Sequence, residues 1–426
     1  MSDPFLNSNA SSALIASTDA VSVAKNPYEY RYAGKGSLES AHVPAHSRSV
    51  SVSQPTGSLQ WNSNIDLPVL KAGYLENAFV KIVVSNSTGA NMYANPNVMN
   101  LMVERLDLIT QGKVVCGSQP FGRACLVSNK PYSIKKNLEK ALNLKADDTS
   151  AIADGSSYTA YVPCCWFCFD SPELNFNTSF VEPLVCRCKL SASNTYQATS
   201  ATGDVAAAWT LTSVELIHVF RRLPVEMEQK AISENFGSGE ALVKVGYDLI
   251  EESTTKTLSA AVSQSVSHTI ETNRCLSKLW VAVDSGEGDL SNLIDNHGSY
   301  LALSNIKVEA NGQTLFDVDG DFVQYCMGSD MDSTNSAFGV GNHHDTSFEH
   351  TSNIYCVDFS LGKEPSKLSN AISARELNSF KITATTSASV AVGATQTSAR
   401  LRVCLQSPML LSIASASGRI STSLSS

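Results

Sequence analysis

The sequence contains an internal repeat with a period of about 200 residues. Five pairs of segments resemble each other in the same order along the chain, and the spacing between partners starts at 201 residues and decreases slowly. The pairs are Leu75–Ile82 with Leu276–Val283, Val103–Val114 with Leu303–Thr314, Tyr161–Phe169 with Tyr355–Leu361, Val185–Leu190 with Ser379–Thr383, and Trp209–Phe220 with Leu401–Leu405. Such a repeat predicts two copies of one domain.

The repeated segments are short, alternate between apolar and polar residues, and are separated by turn residues, which is typical of β-strands. Gln111–Lys113 and Asn311–Gln313 predict hairpin turns, because Gly112 and Gly312 can adopt the positive φ that a tight turn needs. The apolar phase of the strand at 209–220 changes at Ser213, which predicts a β-bulge.

Five segments follow from this pattern. We predict an N-terminal arm at 1–49, a first β-domain at 50–223, a connector helix at 224–237, a second β-domain at 238–412 and a Ser-rich tail at 413–426. Pro224 at a first-turn position favours the connector helix, and Tyr132–Leu144 is the other predicted helix. The polar intervals 117–158 and 318–352 are predicted to be long surface loops.

The charge pattern argues against an arm that binds nucleic acid. The net charge is −9, residues 1–50 carry four acidic and four basic residues, and residues 405–426 carry only Arg419. Because segments that neutralise phosphates are usually basic, we expect no direct sequence-specific binding of nucleic acid. Asp3 stands where a signal peptide needs positive charge, and no apolar stretch of 18 residues occurs, so we expect neither a secretion signal nor a membrane span.

The eleven cysteines include a group that resembles a zinc cluster: Cys164, Cys165, Cys168, Cys186 and Cys188. Zinc knuckles need paired thiols separated by turn residues, whereas these lie in an apolar run and in an alternating strand. The pattern favours buried thiols that act as small hydrophobic side chains in a reducing compartment, with a metal site and disulfides as the alternatives.

At this point the chain resembles the double jelly-roll major capsid proteins of tailless icosahedral DNA viruses, a group that includes internal-membrane bacteriophages, virophages and large eukaryotic DNA viruses. The likeness covers about residues 60–410. Ile65–Leu75 looks like a family segment that enters an early strand, Thr269–Val283 looks like the opening of the second jelly roll, and Ile354–Leu361 resembles a Tyr-containing family strand followed by a Pro- and Ser-rich stretch.

The resemblance implies an all-β fold of two tandem eight-stranded jelly-roll sandwiches, with a few short helices in loops and linker. It implies a capsid protein that forms pseudo-hexameric homotrimers and tiles an icosahedral virion shell after synthesis in the host cytoplasm. The implied partners are further copies of the chain, minor capsid and penton proteins, and an internal lipid membrane. The long loops would form outward towers and lateral contacts, and the two terminal segments would order at the inner rim on assembly.

Two patterns could bind a metal ion, although we expect no cofactor. His343 and His344 lie in Asn342–Asp345, near Glu349 and His350, but adjacent residues of a strand point to opposite faces. Asp317, Asp319 and Asp321 resemble part of a calcium loop that lacks its final glutamate. We interpret the first pattern as a polar tower loop and the second as a turn, with a cation at an assembly interface as the alternative.

We also expect no catalytic residues. A bicupin enzyme would need a His-x-His pair with later Glu and His residues in each half, and neither half has one. The alternative from another class is a carbohydrate-binding or glycan-active tandem β-sandwich, which needs clustered exposed aromatic side chains. Aromatic residues make up only 8% of the chain, and Trp61, Trp166, Trp209 and Trp280 fall on segments predicted to be core strands.

Overall fold

Strands dominate the computed structural model, and they form two sandwiches that follow each other along the chain. The structure describes residues 47–87, 89, 92–94, 98–128, 151–170, 174–191, 197–199, 209–223, 225, 228–229, 232–233, 239, 241–257, 263–285, 300, 302–323, 353–359, 371–377, 379–386, 398–415 and 417–424. Within these residues, the model contains no helix with the length and apolar character that crossing a membrane requires.

The first sandwich contains twelve strands and two helices among the described residues. The strands are β1 (Ser47–Ser53), β2 (Asn64–Pro68), β3 (Tyr74–Asn86), β4 (Met92–Ala94), β5 (Val103–Thr110), β6 (Lys113–Ser118), β7 (Ala151–Ile152), β8 (Ser157–Pro163), β9 (Phe176–Asn177), β10 (Leu184–Leu190), β11 (Gln197–Thr199) and β12 (Trp209–Arg222); the helices are α1 (Val98–Met102) and α2 (Pro120–Ser128). Sheet 1A has the order β1-β12-β3-β8 with β9 beside β3, and sheet 1B has the order β2-β10-β5-β6. A small third sheet is β11-β4-β7.

The second sandwich repeats this arrangement. Its strands are β13 (Leu242–Thr257), β14 (Ser265–Thr269), β15 (Cys275–Leu276), β16 (Lys278–Ser285), β17 (Leu303–Ala310), β18 (Gln313–Asp319), β19 (Tyr355–Asp358), β20 (Ile372–Ser373), β21 (Phe380–Thr386), β22 (Ser398–Ile413) and β23 (Ile420–Leu424), and a single helical turn, α3, spans Gly320–Phe322. Sheet 2A has the order β13-β22-β16-β19 with β23 beside β22, and sheet 2B has the order β14-β21-β17-β18. Two antiparallel four-stranded sheets in this order are a jelly roll.

The two copies share local detail as well as topology. In the β5–β6 and β17–β18 hairpins both central residues have positive φ, at 47° and 75° for Gln111 and Gly112 and at 52° and 75° for Asn311 and Gly312. These are the values of a type I′ turn, whose twist matches that of the strands. Each hairpin has a register shift at the same place, between Leu108 and Ile109 and 200 residues later. The predicted duplication is therefore confirmed.

Alternation along the strands places one face of each in a core. In β3 the buried residues Ala78, Val80, Ile82 and Val84 alternate with partly exposed ones, so sheet 1A presents an apolar face to sheet 1B. The bulge predicted at Ser213 is present, because the register of β12 against β3 shifts between Leu211 and Ser213.

The structure differs from several expectations. The predicted tail contains the strand β23, because its backbone pairs with β22, and β1 begins within the predicted arm. The second sandwich opens with β13, well before Thr269. The predicted loop intervals begin with α2 and α3 rather than with irregular chain. Tyr132–Leu144 lies outside the described residues, and the described residues of the connector, such as Val225 and Glu228, are helical.

Candidate functional site

The two sandwiches meet in an extensive apolar contact, which we call the junction. It consists of α2 and the 3-10 turn Phe167–Phe169 of the first sandwich, packed against the outer face of sheet 2A. In β16, Leu279, Val281 and Val283 belong to the core of the second sandwich, whereas Trp280 and Ala282 belong to the core cluster of the first. Sheet 2A is therefore buried on both faces, and the chain is one continuous apolar body across the junction.

Helix α2 forms the centre of the junction. Proline at its first position is favourable for a helix, because the missing N–H has no partner there in any case. Residues 121–127 are all buried, which is the pattern of a helix enclosed on every side rather than of a surface helix. Helix α2 contacts both β13 and β22, so it lies between its own sandwich and the next.

Gly122 makes the closest approach between α2 and sheet 2A. Its backbone N–H donates to Oε1 of Glu251 at 2.6 Å, and a Cβ at this position would lie 3.0 Å from that oxygen and 3.1 Å from Leu249 Cδ1. Burial raises the pKa of the Glu251 carboxyl, and the hydrogen bond from Gly122 opposes that shift. The carboxylate of one sandwich thus caps the first turn of a helix in the other.

Two further contacts fix the angle between the sandwiches. The Phe167 ring lies 6.1 Å from the Tyr247 ring and so close to β13 that only glycine fits at position 246, where a Cβ would be 2.6 Å from the Phe167 ring. The Tyr247 hydroxyl donates to the Asp170 carboxylate, and burial raises the pKa of this tyrosine. Phe121 meets Tyr300 edge-on at 5.7 Å between ring centroids.

Arg123 holds α2 in place from the side of the first sandwich. It is fully buried, and its guanidinium donates to the Asn100 side chain at 2.8 Å, to the Ser118 carbonyl at 2.9 Å, to the Asn100 carbonyl at 2.8 Å and to the Val103 carbonyl. Burial lowers the pKa of Arg123. The planar group therefore joins α1, β5, β6 and α2 through otherwise orphaned carbonyls, as a buried charge requires.

A cavity of about 310 Å³ opens at the rim of the junction. Its charged lining comes from both sandwiches: Glu104 from the first, and Glu251, Glu252, Arg400 and Arg402 from the second. The mixture of carboxylates and guanidiniums leaves no strong excess of one sign, so the cavity is a polar rim around the apolar contact.

The predicted metal ligands are not brought together by the described part of the chain. Asp317 and Asp319 lie on β18 and Asp321 on α3; all three are exposed, and Asp317 accepts a hydrogen bond from Asn305 at 3.0 Å. Among the described residues no group of three or more His, Cys, Asp or Glu side chains converges as a metal site. His343 and His344, with Asn342, Asp345, Glu349 and His350, lie outside the described residues.

The cysteine group is largely part of the core, as predicted. Cys164, Cys168, Cys186 and Cys188 are fully buried, whereas Cys165 is partly exposed with φ at 50°, and the described cysteines are all free thiols. Burial is the main reason that the pKa of Cys188 is raised, in the presence of the nearby Cys186. Thiols held neutral in this way behave as small apolar side chains.

The tryptophans correct one expectation. Trp166 and Trp280 are buried, but Trp166 precedes the 3-10 turn and Trp61 lies partly exposed in a turn, so neither is on a core strand. Trp280 is on β16 but faces the junction. The side chain of Trp209 lies outside what the structure describes.

Sequence reasoning missed the junction residues. Gly246 interrupts an alternating strand, and an isolated glycine in a strand is a signal of close approach by another chain segment. Pro120 was a second available signal, because proline favours the first position of a helix. Arg123 carried no local signal, since nothing in its neighbours indicates that a charged residue is buried there.

Comparison with known proteins found no matching family model and no matching curated protein. Solved structures do match. The chain is similar to the capsid protein VP54 of PBCV-1, fitted into a reconstruction of the virophage Sputnik, with 14% identity, a TM-score of 0.61, and coverage of 89% of this chain and 97% of that one.

Two further structures are similar over most of their length. The Faustovirus major capsid protein matches with 10% identity and a TM-score of 0.59, covering 86% of this chain and 90% of that one. The mavirus major capsid protein matches with 11% identity and a TM-score of 0.52, covering 88% and 90%. At these identities the likeness concerns the fold. The chain therefore has the double jelly-roll fold of these viral major capsid proteins.

Proposed function

We propose that this protein is a major capsid protein that self-assembles into pseudo-hexameric homotrimers, which tile an icosahedral virion shell. The observation that supports this most is the junction. Two sandwiches of the same topology are locked into one rigid unit through a contact as apolar as a domain core. Three such units supply six similar sandwiches, which suits a sixfold lattice position without six identical chains.

The proposal assigns the chain a structural role in the virion rather than an enzymatic one, with synthesis in the host cytoplasm. Its partners are neighbouring capsomers, minor capsid and penton proteins, and a lipid membrane beneath the shell. The near-neutral charge of residues 1–50 favours such a membrane over direct contact with nucleic acid.

The assembly state of the purified full-length chain tests the proposal. Size-exclusion chromatography with light scattering is expected to give a mass three times that of the chain, and cryo-electron microscopy of concentrated protein is expected to show pseudo-hexagonal particles. A monomer at all concentrations, with binding to a glycan array, would contradict the capsid role and favour the carbohydrate-binding alternative. The buried Trp166 and Trp280 do not favour that alternative, because glycan sites use exposed aromatic faces.

A further inference from the structure

The repeat makes it possible to compare the junction with the surface that corresponds to it in the second sandwich. The matching hairpins and register shifts place equivalent residues 200 positions apart here, so Val115 corresponds to Leu315 and Gly122 to Phe322. In the first sandwich this surface is covered, and Val115 is only 4% exposed. In the second it is bare, with Leu315 at 42% and Phe322 at 48% exposure.

The other half of the junction also has an uncovered counterpart. Gly122 packs on Leu249, Glu251 and Cys404 of sheet 2A, where Cys404 pairs with Trp280 and with Glu251. In sheet 1A, Ile217 pairs in the same way with Phe79 and Val52.

The repeat aligns Phe79 with Trp280. The registers then make Val52 the counterpart of Glu251 and Val50 the counterpart of Leu249. Val50 and Val52 are 63% and 48% exposed, on the edge strand β1.

We propose that Phe322 of one copy packs against Val50 and Val52 of the next, in a contact that repeats the junction between chains. The proposal rests on the proposed function and adds the residues that meet. Within the chain a glycine faces a leucine and a carboxylate; between chains a phenylalanine faces two valines. The exposed residues thus have complementary chemistry, and large exposed apolar side chains mark interaction surfaces.

The two surfaces lie on different sandwiches, so the contact is heterologous. Each copy offers Phe322 to one neighbour and receives the Phe322 of another on Val50 and Val52. Such a contact generates either a closed ring or an open filament, depending on the rotation from copy to copy. The trimer requires that it close after three copies.

Crosslinking of the assembled protein tests the contact. A chain carrying Phe322→Cys and Val52→Cys is treated with a short bis-maleimide, and the products are separated on a denaturing gel. We expect covalent dimers and trimers and nothing larger, because the ring closes at three. The matched control carries Phe322→Cys and Val114→Cys, since Val114 is similarly exposed but lies at the β5–β6 hairpin rather than on sheet 1A. The control and both single Phe322→Cys and Val52→Cys variants are expected to remain monomeric on the gel.

A charge pair gives a second readout. Phe322→Asp is expected to raise the concentration at which half of the protein is trimeric by about tenfold, and adding Val52→Lys is expected to recover much of that loss. If the wild-type protein is trimeric but the crosslinks do not exceed the control, or Phe322→Cys alone gives dimers, the contact is wrong and the capsid role stands. If the wild-type protein never forms trimers, the capsid role fails, and the contact fails with it.

Discussion

At residue 246 the fit between the two sandwiches leaves no room for a methyl group. A Cβ there would lie 2.6 Å, 2.8 Å and 2.9 Å from three atoms of the Phe167 ring. The ring is buried and packs against Phe176 and Tyr247, so it cannot move aside without disturbing the junction. The glycine is needed for space rather than for its backbone freedom, since its φ is not positive.

We expect Gly246→Ala to destabilise the protein by about 1–3 kcal/mol, which is the usual cost of overpacking a well-filled core. The thermal midpoint should fall by several degrees, as measured by circular dichroism. Gly57→Ala is the matched control, because a Cβ at Gly57 meets no atom within 4 Å. Equal melting temperatures for the two variants would show that the Phe167 contact is not rigid.

A second residue-scale feature is the buried imidazole of His218, on β12. It stacks on Phe220 at 5.4 Å, and its Nδ1 lies 3.4 Å from the Ser51 carbonyl oxygen. Burial lowers the pKa of His218 to about 4. In the unfolded chain the same ring has a pKa near 6.5, so between these values the unfolded state binds a proton that the folded state does not.

We therefore expect His218 to make the protein less stable in acid. Its contribution is fully present above about pH 6.5 and is lost as the pH falls towards 4, by an amount on the order of 3 kcal/mol. Thermal unfolding of the wild type and of His218→Leu, followed from neutral pH to about pH 4.5, measures the difference. The wild type should lose more stability than the variant; parallel pH profiles would contradict the assignment.

At the scale of elements, β23 closes the molecule. This strand pairs with β22 of the second sandwich, and Ile420 at its start is buried in the cluster that contains the first core. Just before it, the Gly418 carbonyl accepts a hydrogen bond from the Glu182 backbone N–H at 3.1 Å. The segment thus fastens the two sandwiches together from the side opposite to any loop.

Deleting residues 417–426 should therefore weaken the junction. Loss of the buried Ile420 alone is worth about 2–5 kcal/mol, and the lost strand pairing adds to it. We expect a lower melting temperature and, in calorimetry, separate transitions for the two sandwiches. Deleting only residues 425–426 leaves β23 intact and serves as the control. A single transition in both truncated chains would mean that β23 is not needed for coupling.

At the scale of the whole molecule, the junction turns two domains into one tile. Residues from both sandwiches form one core cluster, so folding of sheet 2A and packing of α2 support each other. Joining the sandwiches in this way presents one uncovered copy of each mating surface, on β1 and on α3, at separate places in the chain. This is the arrangement that head-to-tail assembly requires.

Much of this architecture follows from the sequence alone. Alternating strands, the turns at Gly112 and Gly312 and the bulge at Ser213 are local features, because they depend on backbone conformation and on side chains a few residues apart. Their repetition determined that there are two copies, and the order of the segments determined the family whose fold the structure has.

Only the tertiary structure decided how the copies meet. The helix α2 was expected to be loop, because its residues are apolar all round and a charged Arg123 lies in their midst; burial between two sandwiches explains both. The role of Gly246 depends on a ring almost 80 residues away in sequence. Packing between distant segments has no local pattern in the chain, so the sequence by itself determined the two jelly rolls, and three-dimensional contact decided the junction and the surfaces it leaves bare.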